Sequence, residues 1–353
     1  RWWEKLWRGI PTEGIFVLTR LQEHGYEAYL VGGAPRDLLL SKVPTDWDLS
    51  TNASPERIKE IFAKTILVGE KFGTVLVVIK DFTVEVTTFR REGAYTDGRH
   101  PDWVEFTTSL LVDLSRRDFT INAIAIDPLR RRIIDPFGGR RDLKRRIIRT
   151  VGEPRLRFQE DALRMLRFFR FQSTLGFRGE RRTEKGINPL EIKRISGERI
   201  GEELTKLLSS SFPERGLTGM ARTSLLTTII PEFIPVLREE NRLFQHLVAT
   251  TQAIKPLPEL RWAALLHDLG KVSSKVQVEG EIHYYGHEKV GEQLAVGILE
   301  RLRYASSFGK KVSNLIRLHM FSCNPAVSDA ALRRLVIRVG RENIKDLLEL
   351  RRA

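Results

Sequence analysis

The sequence predicts an α+β fold, a mixed sheet with helices followed by a helical remainder, and three stretches carry that prediction. Tyr29 to Thr51 (YLVGGAPRDLLLSKVPTDWDLST) reads as a strand, a Gly-Gly turn, a short helix and a second strand. Gly73 to Ile79 and Thr83 to Phe89 are β-rich runs joined at Lys80-Asp81-Phe82, the pattern of a hairpin. Asp135-Pro136-Phe137-Gly138-Gly139 breaks the pattern, and downstream the periodicity is helical to the end.

In chain order, an amphipathic helix through Phe16, Val17, Leu18 and Leu21 stops near Gly25, and Tyr26 to Val31 forms the first strand. Gly32-Gly33 has no side chains, so its backbone can approach a phosphate, and the helix through Arg36 to Leu40 starts just behind it. In Asp46-Trp47-Asp48, alternation along a strand puts both carboxylates on one face and Trp47 on the other. Two like charges held that close need a cation. A pair of Mg²⁺ ions about 3.5–4 Å apart would activate a hydroxyl and neutralise the phosphates of a nucleoside triphosphate. A DxD alone is as readily a solvated strand end; the Gly-Gly turn upstream favours a site.

Ser54-Pro55-Glu56 starts a helix that reaches about Phe62. Glu85, between Val84 and Val86, is either a third metal ligand or an outward-facing acid on an edge strand. Arg90 to Asp102 (RREGAYTDGRHPD) lacks periodicity and reads as a mobile loop beside the site. Arg116 to Ala123 (RRDFTINA) is a polar cluster ahead of an apolar strand, Ala123 to Ile126; its arginines and Asp118 suit a triphosphate and a ribose hydroxyl. Asp135 to Gly139 suggests a hinge.

The 353 residues and 41% hydrophobic content suffice for two or three domains with a core. The single Cys323 excludes an internal disulfide framework and fits a reducing cytoplasm. No apolar run approaches membrane-spanning length, and RWWEKLWRG at the N-terminus lacks the apolar core of a signal peptide, so no membrane partner is expected. A net charge of +14 points to a polyanion. Between Arg140 and Arg199 there are 18 Lys/Arg against 8 Asp/Glu, an excess that favours a nucleic-acid backbone over an ordinary solvated face.

A helix from Phe158 to Phe171 would place Asp161 and Arg164, three residues apart, on one face. Taken alone, such a pair is an intrahelical salt bridge. Its functional reading is a base reader: cytosine and adenine each show an amino donor beside a ring-nitrogen acceptor, matching carboxylate and guanidinium. Guanine and uracil present the reverse pattern and would leave buried groups unpaired.

These residues together resemble the class II tRNA nucleotidyltransferases and bacterial poly(A) polymerases of the polymerase-β-like superfamily. The matching elements are Gly32-Gly33-Ala34-Pro35-Arg36-Asp37, Asp46-Trp47-Asp48, Arg116 to Ala123, Asp135 to Gly139 and Glu160-Asp161-Ala162-Leu163-Arg164, spanning about Tyr26 to Phe177. The resemblance implies a polymerase-β-type head, a helical neck, and body and tail helices that hold the tRNA acceptor end. It implies that Asp46 and Asp48 bind Mg²⁺, that Gly32, Gly33 and Arg36 hold the triphosphate, that Asp118 contacts the ribose, and that Asp161 and Arg164 read the base. Arg117, Asn122 and Arg167 complete the expected nucleotide-binding set, and Glu85 the catalytic one. Pro35 stands where the family usually has Val, which stiffens the first helical turn and spares the phosphate site. The chain stops at Ala353 soon after a helix, so part of the tRNA-binding tail is expected to be absent.

Five of the seven histidines, His246, His267, His283, His287 and His319, fall in the last third. Trp262 to Lys271 (WAALLHDLGK) resembles the HD phosphohydrolase domain carried by some members of this family. The resemblance implies that His246, the His267-Asp268 doublet, His287 and His319 bind a transition metal ion, with Asp329 the nearby candidate for a closing Asp.

The expected division is a nucleotidyltransferase head over 1–146, a base-reading and RNA-binding neck over 147–215, and an HD-like helical body over 216–353. The expected function is cytoplasmic, Mg²⁺-dependent, template-independent addition of C and A to the tRNA 3′ end from CTP and ATP, releasing pyrophosphate. The rivals are CC-adding, A-adding or poly(A) polymerases of the same fold, a metal-dependent phosphohydrolase with an RNA-binding head, and a non-catalytic RNA-binding protein; the intact DxD argues against the last two.

Overall fold

The computed structural model describes residues 3, 7, 9–68, 73–93, 102–238, 242–321 and 327–353. Two units emerge, Arg1–Asp161 with Gly179–Gly186, and Ala162–Arg178 with Ile187–Ala353.

In the first unit, helix α1 (Thr12–Glu23) leads into strand β1 (Ala28–Val31), helix α2 (Gly33–Leu39), strand β2 (Asp48–Thr51) and helix α3 (Pro55–Ile61). Ser54 caps α3 by accepting from Arg57 N, with Pro55 in the first turn. Strands β3 (Thr65–Leu67), β4 (Thr74–Ile79) and β5 (Phe82–Thr88) follow, β4 and β5 as an antiparallel pair across Lys80-Asp81. Then come β6 (Arg90–Glu92), β7 (Val104–Phe106), helix α4 (Leu110–Ser115), a 3₁₀ turn at Thr120–Asn122, β8 (Ala125–Asp127) and β9 (Arg132–Ile134). The main sheet has the order β3-β4-β5-β2-β1-β8-β9, with β2 and β5 parallel and its other pairs antiparallel.

Period-two alternation divides the faces of this sheet. Leu30, Leu49, Val75, Val77, Val84, Val86 and Ile126 bury one face against Val17, Leu18 and Leu21 of α1 and Ile58 of α3. Phe16, expected on that apolar stripe, is 46% exposed and turns away from it. Trp47 joins this core, as the alternation requires, and Asp48, Ser50 and Glu85 are left for the other face.

Two expectations change here. Arg90 to Asp102 is not loop throughout: β6 pairs antiparallel with β7, and residues 94–101 lie outside the described ones. Asp135 to Gly139 is a helix start rather than a hinge. The Asp135 carboxylate accepts from Gly139 N at 2.7 Å and Arg140 N at 2.9 Å, capping helix α5 (Gly139–Arg145). The division between the units falls later, after Asp161.

Helix α6 (Pro154–Glu160) closes the main run of the first unit, and α7 (Leu163–Leu175) opens the second. The single helix expected from Phe158 to Phe171 is therefore broken. Asp161 is extended, with φ −141° and ψ 104°, and the apolar pattern resumes only at Leu163. In the second unit α7 packs on α8 (Gly197–Leu208) and α9 (Pro213–Arg222) through Phe168, Phe169, Leu204, Leu207 and Leu217, all buried. Helices α10 (Arg242–Ala253), α11 (Pro258–Leu266), α12 (His287–Arg301), α13 (Ser306–Leu318) and α14 (Asp329–Val339) follow. The wholly helical reading misses one piece, a two-stranded ribbon of Lys275–Val278 paired with Glu281–Tyr284. Its turn residues Glu279 and Gly280 have φ of 50° and 87°, the left-handed geometry of a tight hairpin. Cys323 lies outside the described residues.

Candidate functional site

Asp48 and Glu85 are register partners across parallel β2 and β5, and Asp46 stands just before β2. Burial pushes the Asp48 carboxyl up to about 6; Glu85 and Asp46 add to the rise and Arg117 opposes it. Burial also raises Glu85, against the pull of Arg90 and with a push from Asp46. The strand pairing thus favours the ligand alternative for Glu85. Three mutually repelling carboxylates on one sheet face fit a divalent cation, whose charge would remove the repulsion.

Gly32 closes this group from the side. It adopts φ 73° and ψ −127°, and a Cβ there would stand 2.8 Å from Asp48 Oδ2. Only glycine lets the turn come that near the carboxylate. Gly33 begins α2, with the Arg36 guanidinium beside it. Arg36 forks onto Asp37 through Nε and Nη2, each at 2.9 Å, and its Nη1 donates to Asn122 Oδ1 at 2.9 Å. Asn122 Nδ2 donates in turn to Asp118 Oδ1 at 3.0 Å. Arg36, Asn122 and Asp118 therefore form one chain of hydrogen bonds.

Sequence reasoning missed the residue that holds the arginines. Asp113 on α4 is fully buried; it accepts from Arg116 Nη2 at 2.8 Å, Arg117 Nη2 at 3.2 Å and Ser50 Oγ at 3.2 Å. Burial alone would raise its carboxyl, but Arg116 and Arg117 outweigh that and hold it below the usual range. Glu92 takes Arg90 and Arg116 in the same way. Spacings of three and four from Asp113 to Arg116 and Arg117 were the available signal.

Asp161 ends the first unit, whereas Arg164 and Arg167 lie on α7 of the second, so the pair does not share a helix face. Arg164 is buried, and Arg167 lies over the Phe171 ring at 5.4 Å and 3.9 Å from Glu203.

The second unit brings His246, His267, Asp268, His287 and His319 together as two triads sharing Asp268. His246 comes from α10, the doublet follows α11, His287 starts α12 and His319 ends α13. Three rings are oriented by backbone: Nδ1 of His267, His287 and His319 lies 2.8, 2.9 and 2.6 Å from the carbonyl oxygens of Ala264, Tyr284 and Ile316. A carbonyl can only accept, so each Nδ1 carries the proton and each Nε2 offers a lone pair. Those Nε2 atoms converge: His246 and His267 are 3.1 Å apart, His287 and His319 3.4 Å. His287 and His319 Nε2 stand 3.3 and 3.6 Å from Asp268 Oδ1, a buried atom without a hydrogen-bond donor. Lone pairs aimed at one another and at an unsatisfied carboxylate oxygen fit a transition metal ion. Burial would raise Asp268; the imidazoles of His246, His267 and His319 hold it below the usual range. Gly270 permits the assembly, since a Cβ there would lie 2.1 Å from the His287 carbonyl. Asp329 is exposed in the first turn of α14 and is in neither triad, and His283 stacks on Tyr285 instead. Among the described residues no helix is long and apolar enough to cross a membrane.

Three family models match: the poly A polymerase head domain over residues 28–149, the probable RNA and SrmB-binding site of polymerase A over 176–237, and the HD domain over 243–350. The CCA-adding enzyme of Geobacillus stearothermophilus is 47% identical over 265 residues, 74% of this chain and 64% of its own length. That of Lactobacillus helveticus is 52% identical over 193 residues, 54% of this chain and 48% of its own. The chain thus spans less than two thirds of these relatives. The crystal structure of the Bacillus stearothermophilus CCA-adding enzyme in complex with CTP superposes with a TM-score of 0.74 at 37% identity, covering 95% of this chain and 76% of that one. A Thermotoga maritima CCA-adding enzyme complexed with tRNA, at 22% identity and a TM-score of 0.65 over 98% of this chain and 81% of that one, shares the fold. By the extent of the match to the CTP-bound structure, reinforced by the head-domain model over the carboxylate site, this chain belongs to the family of tRNA nucleotidyltransferases and poly(A) polymerases that includes the CCA-adding enzymes.

Proposed function

We propose that the first unit transfers nucleotides from CTP and ATP to the 3′ end of tRNA, completing CCA with release of pyrophosphate, in the cytoplasm. The observation that carries this reading is the joining of Asp46, Asp48 and Glu85 on one sheet face against Gly32. The name and 47% identity of the Geobacillus stearothermophilus relative support it. Asp46 and Asp48, with Glu85, would hold Mg²⁺, which when bound lowers the cost of charge on the triphosphate and on the attacking hydroxyl. Gly32 and Gly33 keep side chains away from the phosphates, and Arg36 and Arg117 supply cationic charge beside them. Asp118, steadied by Asn122, accepts from a ribose hydroxyl. Asp161 and Arg164 read the base, with Arg167 nearby on the same helix as Arg164, and the basic stretch after Arg140 holds the RNA. The division at 1–146, 147–215 and 216–353 belongs to the same proposal. The test offers CTP and ATP, singly and together, to tRNA lacking CCA, to CC-ended tRNA and to an unrelated oligoribonucleotide. Addition of CCA to the first and of A to the second is expected. Tailing of all three acceptors would replace the reading with poly(A) polymerase.

A second reading, favoured by the orphaned Asp268 Oδ1, is that the second unit binds a transition metal ion and hydrolyses phosphoesters. Elemental analysis after loading with Ni²⁺ or Mn²⁺ should find stoichiometric metal that His267→Ala loses. An empty site at saturating metal would make the cluster structural.

A further inference from the structure

Beside the histidine cluster, within the second unit, lies a cleft of about 430 Å³ lined by Arg242, Lys271, Lys275, Leu243, Ile282 and Tyr284 among others. That volume is in the range of roughly 300–1,000 Å³ that small-molecule sites occupy. Two features restrict what it can hold. Its cations come from three separate elements: α10, the turn after the His-Asp doublet, and the ribbon. Lys271 Nζ sits 2.6 Å from Asp268 Oδ2, so the cationic end of the cleft opens on the cluster itself. The ribbon supplies the other end. Val276, Val278, Ile282 and Tyr284 are 46%, 41%, 50% and 36% exposed, although an isolated two-stranded ribbon gains little from showing apolar side chains to water. The Tyr284 ring lies 5.6 Å from Lys271 Nζ, and the Tyr284 carbonyl accepts from His287 Nδ1, which fixes the ribbon's end to a member of the cluster.

An anion-binding end next to an aromatic and aliphatic wall requires a ligand with one compact anionic group and one flat apolar group. We propose that this cleft binds a nucleoside monophosphate, its phosphate toward Lys271, Lys275 and Arg242 and its base against Tyr284, with the ribbon as the specificity element of the cluster. The proposal names a ligand class for the phosphoester-hydrolysing reading of that cluster and rests on it. A bare phosphate would leave the apolar wall uncovered, and a nucleoside would leave the cations uncompensated.

The test is equilibrium binding of AMP, ribose 5-phosphate and adenosine to the full chain in chelator, where no turnover intrudes. AMP should bind more tightly than either fragment. Tyr284→Ala should weaken AMP about ten-fold, as for loss of a base-stacking ring, without changing ribose 5-phosphate, and Tyr284→Phe should restore it. Lys275→Ala should weaken both phosphates. Equal AMP affinity in wild type, Tyr284→Ala and Lys275→Ala would overturn the proposal, assigning any binding to the first unit. Elemental analysis of the same proteins separates the two ideas. Metal bound with AMP insensitive to Tyr284 removes the cleft proposal alone, whereas Tyr284-dependent AMP binding with an empty cluster supports the cleft and removes the phosphohydrolase reading.

Discussion

Asp48 faces Glu85 in register across two parallel strands, so each carboxylate raises the cost of ionising the other. The Asp48 carboxyl stands at about 6 against an ordinary 3.8. A carboxyl raised in the fold adds stability below its unfolded value and loses it as pH rises through the folded one. Metal-free protein should therefore weaken between about pH 4 and 6 relative to Asp48→Asn, by at most on the order of 3 kcal/mol. Denaturant midpoints with and without Mg²⁺ check this, and Mg²⁺ should shrink the loss. A difference between the two proteins that is flat with pH would remove the argument.

Asp46→Ala and Asp48→Ala should each lower nucleotide addition by about 10³-fold or more, since metal stabilisation of transition-state charge is worth several kcal/mol. Binding of tRNA, measured by filter retention, should stay close to wild type because the basic excess lies after Arg140. Wild-type turnover in either variant would place the active site elsewhere.

Asp161→Ala and Arg164→Ala should each cost about ten- to a hundred-fold in efficiency with CTP and ATP, the loss of one hydrogen bond to a charged group. In Asp161→Ala, UTP and GTP should gain relative to CTP and ATP. Steady-state efficiencies for all four nucleotides decide the matter. An unchanged ratio would leave the two residues structural.

Asp113→Asn should destabilise the first unit by about 3–5 kcal/mol, the cost of removing one partner from a buried ion pair. Arg116 and Arg117 would lose their common acceptor, so KM for nucleotide should rise together with the fall in denaturant midpoint. A stable variant with ordinary KM would show that Asp113 does not position them.

Gly270→Ala should push the His287 carbonyl away and open the cluster. Elemental analysis should find substoichiometric metal, and the second unit should unfold at lower denaturant. Full metal loading would mean that α12 adjusts without consequence.

Where a local rule and the tertiary packing agree, the sequence was enough. Trp47 faces the core and Asp48 the site because side chains alternate along a strand; Ser54 caps α3, and Lys80-Asp81 turns a hairpin. The break at Asp161 was hidden because Phe158, Leu163 and Leu166 keep a helical apolar rhythm through an extended residue. Asp113 was hidden for the opposite reason. One acid in a short amphipathic helix looks solvated until Ser50, 63 residues away, closes over it. The ribbon's Val276, Val278 and Ile282 alternate with polar residues, but a helical expectation on both sides masked the period of two.

The parallel pairing of β2 with β5 also sets an order of assembly. The β4–β5 hairpin closes over two residues and can form early, whereas β2 must wait for α3, β3 and that hairpin to be laid down before it finds β5. Non-local strand pairs close late because chain entropy is lost before their contacts are gained. Asp48 and Glu85 thus meet near the end of folding, and a nascent chain is spared the repulsion of its own carboxylates until the hydrophobic core beneath them can withstand it.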